Sequence, residues 1–165
     1  MTRSHKLLRV LFAVLTIACM IGIFLFSCEN ADNSSETSGS VAEALLNIFR
    51  PGFRDLPESE KEAIISGLQH FVRKTAHFTA YMTMCFFASL TVGKRRPLSR
   101  GSAGIVAFCF LYACSDEIHQ YFVPGRACMF RDILLDTAGG TVGILITMLL
   151  WAIISLITKK RTASS

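Results

Sequence analysis

The sequence predicts an all-α integral membrane protein: a bundle of four transmembrane helices, both termini cytoplasmic, with short amphipathic helices in the first extracytoplasmic segment. Three observations lead there. The 165 residues are 52% hydrophobic and 18% charged, and the apolar ones gather into four blocks instead of spreading as a globular core would. Each block approaches the ~20 residues that cross the hydrocarbon layer. The basic patches lie at alternate ends of these blocks, which sets an orientation. The net charge of +5 therefore flanks apolar spans. With no helix-turn-helix, RNA-binding or zinc-finger pattern, nucleic acid is excluded as a partner and the lipid bilayer is the expected one.

Residues 1–28 form the first span. Arg3, Lys6 and Arg9 precede the uncharged run Val10 to Ser27. A signal peptide has a similar outline, and Leu25-Phe26-Ser27-Cys28 resembles a lipoprotein cleavage box. An uncleaved helix is the favoured reading, because three further spans follow. Residues 29–72 form an extracytoplasmic segment in which acids outnumber bases. Its start, up to Ser40, is polar and without periodicity, so a flexible stretch is expected. Ser40-Val-Ala-Glu43 has capping-box spacing. Val41, Ala44, Leu45, Ile48 and Phe49 then recur at helical intervals, and Pro51-Gly52 ends that helix. A second amphipathic helix starts near Pro57. Glu58, Glu60 and Glu62 suit its N-terminal dipole, and Ile64, Ile65, Leu68, Phe71 and Val72 form its apolar face.

Residues 73–158 hold three more spans, and 159–165 form a cytoplasmic tail. The second span runs from Thr75 to Gly93, and Lys94, Arg95, Arg96 and Arg100 make a basic loop after it. The third runs from Gly101 to about Tyr121. Val123-Pro124-Gly125 makes a turn, since Pro fixes φ and Gly accepts positive φ. The fourth runs from about Arg131 to Thr158, before Lys159-Lys160-Arg161. The basic patches place both termini and the Lys94 to Arg100 loop inside. Lys74, Arg126 and Arg131 remain on the outer side, which calls for local partners. None of the six cysteines shows Cys-x-x-Cys spacing. Cys28 and Cys128 fall outside the spans, where a disulfide between them is one option.

Ionisable residues are costly at membrane depth and usually mark a function. Here they cluster between Ser115 and Gly143. Lys74, His77 and Tyr81 share a face of the second span at i, i+3 and i+7. Tyr112, Asp116 and Gln120 stack on the third, with Glu117 and His119 beside them. Asp132, Asp136, Gly139, Gly140 and Gly143 share a face of the fourth, where the glycines admit a close helix neighbour. Turning these stripes inward sets Lys74, Arg126 and Arg131 against Asp116, Glu117, Asp132 and Asp136. A purely structural alternative is an ionic latch that fixes helix packing.

The segments Arg73-Lys74-x-x-His77-x-x-x-Tyr81, Ser115-Asp116-Glu117-x-x-Gln120 with Pro124-Gly125-Arg126, and Asp132-x-x-x-Asp136-x-x-Gly139-x-x-x-Gly143 together resemble the VanZ-like membrane family. The motif region covers about Arg73 to Gly143. Cys28 stands where some members carry a second Ser after the first span. The resemblance implies an integral membrane protein of the bacterial cell envelope. The name-giving member of that family is associated with low-level resistance to teicoplanin, a glycopeptide antibiotic.

Three readings of function follow. In the first, the cluster binds an anionic lipid, a lipid-linked wall precursor or the glycopeptide at the outer leaflet. Lys74, Arg126 and Arg131 hold phosphate or carboxylate, and Asp116 and Asp136 orient them. In the second, the protein is a membrane-embedded enzyme on a lipid-linked wall substrate. Glu117 or Asp116 is then the general base and His77 or His119 the acid; a metal version uses His77, His119 and carboxylates, suited to Zn or Mn. Neither His-Glu-x-x-His nor Gly-x-Ser-x-Gly occurs, which weighs against enzyme chemistry. The third is a scaffold or partner-binding role. No cofactor is expected, and no metal site is assigned.

Overall fold

The computed structural model describes residues 3–93 and 99–163. Among them the chain forms five α-helices and no strand: α1 Arg3–Ser27, α2 Ala31–Phe49, α3 Glu58–Val92, α4 Arg100–Tyr121 and α5 Phe130–Ala163. A single 3-10 turn, Phe53–Asp55, joins α2 to α3. Of the basic loop, Lys94, Arg95 and Arg96 lie outside the described residues, whereas Arg100 opens α4.

Among the described residues, three stretches are long and apolar enough to cross a membrane: Ser4–Ser27, Arg100–Tyr121 and Phe130–Lys160. The expected second span is not among them, because threonines, His77 and Tyr81 dilute its apolar residues. It nonetheless sits in the bundle, packed on α5 and α1. The second amphipathic helix and this span are one continuous helix, α3, of 35 residues. At about 1.5 Å per residue it is about 52 Å long, well beyond the ~30 Å hydrocarbon thickness. Its N-terminal turns therefore extend past the layer that its C-terminal half is long enough to enter.

The flexible stretch expected up to Ser40 is instead helical. Asn30 caps α2, its Oδ1 accepting from the Asn33 N–H at 2.8 Å. The capping box at Ser40 does not form, since Ser40 lies within α2 and donates to the Glu36 carbonyl at 3.0 Å. Small residues explain why periodicity missed the N-terminal half of this helix, while Val41 to Phe49 marked its other half. Ser34, Ser38 and Ala42 stack at i, i+4 and i+8 and are buried, where α2 packs on α3. A stripe of serines carries no hydrophobic signal, yet it lets two helices approach.

Helix direction follows from contacts at the ends. Ser27, at the end of α1, bonds Asp116 near the end of α4, so these two run parallel. Gly93, past the end of α3, lies against Arg9 near the start of α1, so α3 runs the other way. Along the α3–α5 seam, Gly139 faces Phe78, Gly143 faces Met82, and Thr147 Oγ1 donates to the Phe86 carbonyl at 3.4 Å. Both members of each pair advance by four residues, so α5 runs parallel to α3. A Cβ on Gly139 or Gly143 would collide with the α3 backbone, and one on Gly140 with the sulfurs of Cys109 and Cys85. Around the seam lies the core, Tyr81, Met84, Cys85, Cys109, Ala113 and Ile144. The outward faces of α1 and α5 stay apolar and exposed, as at Val14, Ile17, Leu149 and Ile153.

Candidate functional site

A cavity of about 210 Å³ opens at the end of the bundle where α1 and α4 finish and α5 begins. Helix α3 supplies one wall with His70, Arg73, Lys74 and His77. Their spacing is i, i+3, i+4 and i+7, one face of a helix. Helix α4 contributes Glu117 and Gln120, α5 contributes Asp132 and Asp136, and the α4–α5 connection adds Gly125, Arg126 and Met129.

The connection is shaped by its sequence. Val123 to Arg126 closes a turn, the Arg126 N–H donating to the Val123 carbonyl at 3.1 Å. Pro124 and Gly125 occupy the central positions. Gly125 has φ +75°, the left-handed value expected of glycine at the third residue of such a turn. A side chain there would also strike Ala31, whose N–H donates to the Pro124 carbonyl at 3.3 Å. The start of α2 is thereby fastened to the turn. At the far side, the Met129 N–H donates to Glu117 Oε2 at 2.8 Å. Glu117 thus anchors the connection to α4 while its side chain borders the cavity.

Cations occupy the rim. Lys74 forms an ion pair with Asp132. Arg73 donates through Nη2 to Ser35 Oγ at 2.8 Å, and Arg126 donates through Nη2 to the Phe26 carbonyl at 3.3 Å. In both arginines Nε is buried and has no hydrogen-bond partner. Burial lowers the pKa of the Arg126 guanidinium from its ordinary value, and the like charge of Arg73 adds to the effect.

Acids lie deeper. Asp116 and Asp136 are 4% and 1% exposed. Asp116 Oδ2 accepts from Ser27 Oγ at 2.9 Å and from Gln120 Nε2 at 3.1 Å. Gln120 Nε2 also reaches Ser27 Oγ at 3.1 Å, closing a triangle. His77 Nδ1 is 3.7 Å from Asp136 Oδ2, beyond a hydrogen bond. Asp116 Oδ1 and both oxygens of Asp136 have no hydrogen-bond partner. One donor atom from each of His77, Asp116 and Asp136 falls within 4.8 Å of the others.

Of the residues singled out from sequence, Lys74, His77, Glu117, Gln120, Arg126, Asp132 and Asp136 line the cavity. Asp116 stands among them through His77 and Asp136. Tyr81 is fully buried against Tyr112, their ring centroids 5.9 Å apart, with its hydroxyl unpartnered. Gly139, Gly140 and Gly143 lie on the α3–α5 seam below. Two expectations need correction. His119 does not join His77: its ring lies against Phe24 with centroids 4.8 Å apart, and its Nε2 is 3.4 Å from Cys28 Sγ. Two residues beyond Glu117 on a helix, it points to another side. Arg131 is exposed and stands outside the cavity lining. Cys28 and Cys128 are both free thiols.

Sequence reasoning left three participants without a role in the cluster. His70 and Arg73, the latter already the first residue of the Arg73-Lys74-x-x-His77 motif, extend the Lys74–His77 face by one turn, a signal the heptad spacing carries. Ser27 gave no signal, since a serine ending an apolar span is unremarkable until Asp116 is seen beside it.

The family model described as VanZ/LLP1 matches residues 12–152, which include all of α2, α3 and α4. No curated protein and no solved structure matches the chain.

Proposed function

The chain belongs to the VanZ/LLP1 family, and from that premise we propose that it is a multi-pass cell-membrane protein whose outer-facing cavity binds an anionic headgroup. The anion is the phosphate or carboxylate of an envelope lipid, a lipid-linked wall precursor or a teicoplanin-type glycopeptide. One observation carries this reading: the buried Nε groups of Arg73 and Arg126 lack hydrogen-bond partners at the lining of the same cavity. A buried donor left unmade costs free energy, and a bidentate anion is the ligand that satisfies a guanidinium best.

The topology that goes with this reading has four spans and cytoplasmic termini. It is supported by helix direction. Helices α1 and α4 run parallel, so if both cross the membrane in one sense the chain must return between them; α2 is polar over its first half, and α3, packed on both α1 and α5, is the helix placed to do so. The basic residues Arg3, Lys6, Arg9 and Lys159 then lie at the inner ends. The cavity opens at the opposite, outer end.

The test is binding of phosphatidylglycerol, followed by native mass spectrometry on the full chain in detergent. Arg73→Ala and Arg126→Ala should each weaken binding about tenfold, the effect of losing a charge-assisted hydrogen bond worth roughly 1.5 kcal/mol. Equal binding by wild type and both variants would overturn the reading. In a sensitive Gram-positive host with matched membrane levels, wild type should lower teicoplanin susceptibility and Arg126→Ala should not. If wild type has no effect there, the resistance role is lost while the binding result still stands or falls by itself.

A further inference from the structure

Beneath the proposed anion site lies a second constellation with different chemistry. His77, Asp116 and Asp136 come from three helices and present one nitrogen and two oxygens within 4.8 Å of one another. Two carboxylates buried this deeply repel each other, and buried charges persist where they are paired or coordinate a metal. The local cations do not supply the pairing. Lys74 is engaged by Asp132, and His77 stands too far from Asp136 for a hydrogen bond. Three carboxylate oxygens, Asp116 Oδ1 and both of Asp136, are left without hydrogen-bond partners.

The surroundings are those of a ligand set held in place. Ser27 and Gln120 both donate to Asp116 Oδ2, fixing that carboxylate and leaving Oδ1 free. Such outer hydrogen bonds orient metal ligands. We propose that His77, Asp116 and Asp136 bind one divalent transition cation at the floor of the cavity. One imidazole and two carboxylates suit Mn2+ or Zn2+. Donors about 2.1 Å from a common ion stand about 3 to 4 Å apart, so the group closes by a small side-chain movement. The cavity above leaves the remaining coordination positions to water or to an incoming oxygen ligand. The cation site is independent of the anion reading, because its ligands are none of the rim arginines.

The experiment uses the full chain in mild detergent, stripped with chelator and titrated with Mn2+. Free aqueous Mn2+ is followed by its electron paramagnetic resonance signal. Cys28→Ser and Cys128→Ser are carried as background substitutions, so that surface thiols contribute nothing when Zn2+ is used as competitor. Wild type should take up about one Mn2+ per chain, displaced by Zn2+. His77→Gln and Asp136→Asn should each weaken uptake at least about tenfold, since even outer-shell changes cost that much. His5→Gln, at the far end of α1, should bind as wild type does. A readout on the unaltered site covers the case in which the variants misfold: spin-echo modulation of bound Mn2+ should show a single imidazole nitrogen. No uptake at millimolar Mn2+, or uptake without nitrogen modulation, overturns the proposal. Phosphatidylglycerol binding that survives this failure would leave the rim reading intact.

Discussion

Ser27 Oγ donates to Asp116 Oδ2 at 2.9 Å, joining the last residue of α1 to the buried carboxylate of α4. The bond makes the first span part of the site instead of a separate anchor. Removing the hydroxyl with Ser27→Ala leaves Asp116 with Gln120 as its hydrogen-bonding side chain and leaves more of a buried carboxylate unsatisfied. The expected loss is roughly 1–3 kcal/mol. Thermal unfolding of the purified chain in detergent reads it directly. An unchanged midpoint would mean that water or Gln120 takes over the bond.

The α3–α5 seam predicts a contrast between glycines. A Cβ on Gly143 would meet the Met82 carbonyl oxygen, a backbone atom that cannot step aside. Gly143→Ala should therefore separate the helices and destabilise the protein by roughly 1–3 kcal/mol, the usual cost of overpacking. Gly104, on α4, has nothing within 4 Å of its would-be Cβ. Gly104→Ala should be neutral or stabilise by up to about 1 kcal/mol through helix propensity. Unfolding midpoints of the two variants, compared under one condition, check both signs.

These two sites also show what was legible in the sequence. The Gly139–Gly143 spacing announced a helix interface, because small residues at four-residue intervals have few other uses in an apolar helix. The polar stripes on α3, α4 and α5 announced a shared cluster for the same reason: charge is expensive at depth. The N-terminal half of α2 stayed hidden because its contact face there is made of Ser34 and Ser38, which look like loop composition, whereas the apolar spacing from Val41 to Phe49 announced the other half. Continuity of α3 was hidden by the change from charged to apolar residues at Arg73-Lys74, which reads as a boundary although the backbone passes through it. His119 was carried into the cluster by its place between Asp116 and Gln120, although its position two residues beyond Glu117, a turn of about 200°, already set those two side chains on different sides of the helix.

The connection carries a prediction of its own. Gly125 combines a left-handed φ with close contact to Ala31. Gly125→Ala incurs both penalties, since a Cβ disfavours the turn and pushes against the start of α2. The turn and α2 should then part, so limited proteolysis should cut near Val123 to Ala127 in the variant and leave wild type intact. Equal resistance in both would mean that the Met129–Glu117 bond is enough to hold the connection closed.

The proposed four-span topology makes a labelling prediction that a three-span arrangement does not share. Cys28 follows α1 and Cys128 precedes α5, and both are exposed free thiols. If α3 crosses the membrane, both lie outside. If α3 stays on one surface, the chain passes from α1 to α4 without returning, and Cys28 and Cys128 end on opposite sides. A membrane-impermeant maleimide applied to intact cells should label single-cysteine variants retaining Cys28 or Cys128. Variants retaining only Cys85 or Cys109, both buried in the core, should stay unlabelled until the protein is denatured. Labelling of Cys28 without Cys128 would remove α3 from the membrane. The cavity would then lose its outer-face assignment, because its α3 wall and its α4–α5 connection would belong to different compartments. The bonds at the parallel ends of α1 and α4 forbid that separation, so the labelling experiment tests the packing as well as the topology.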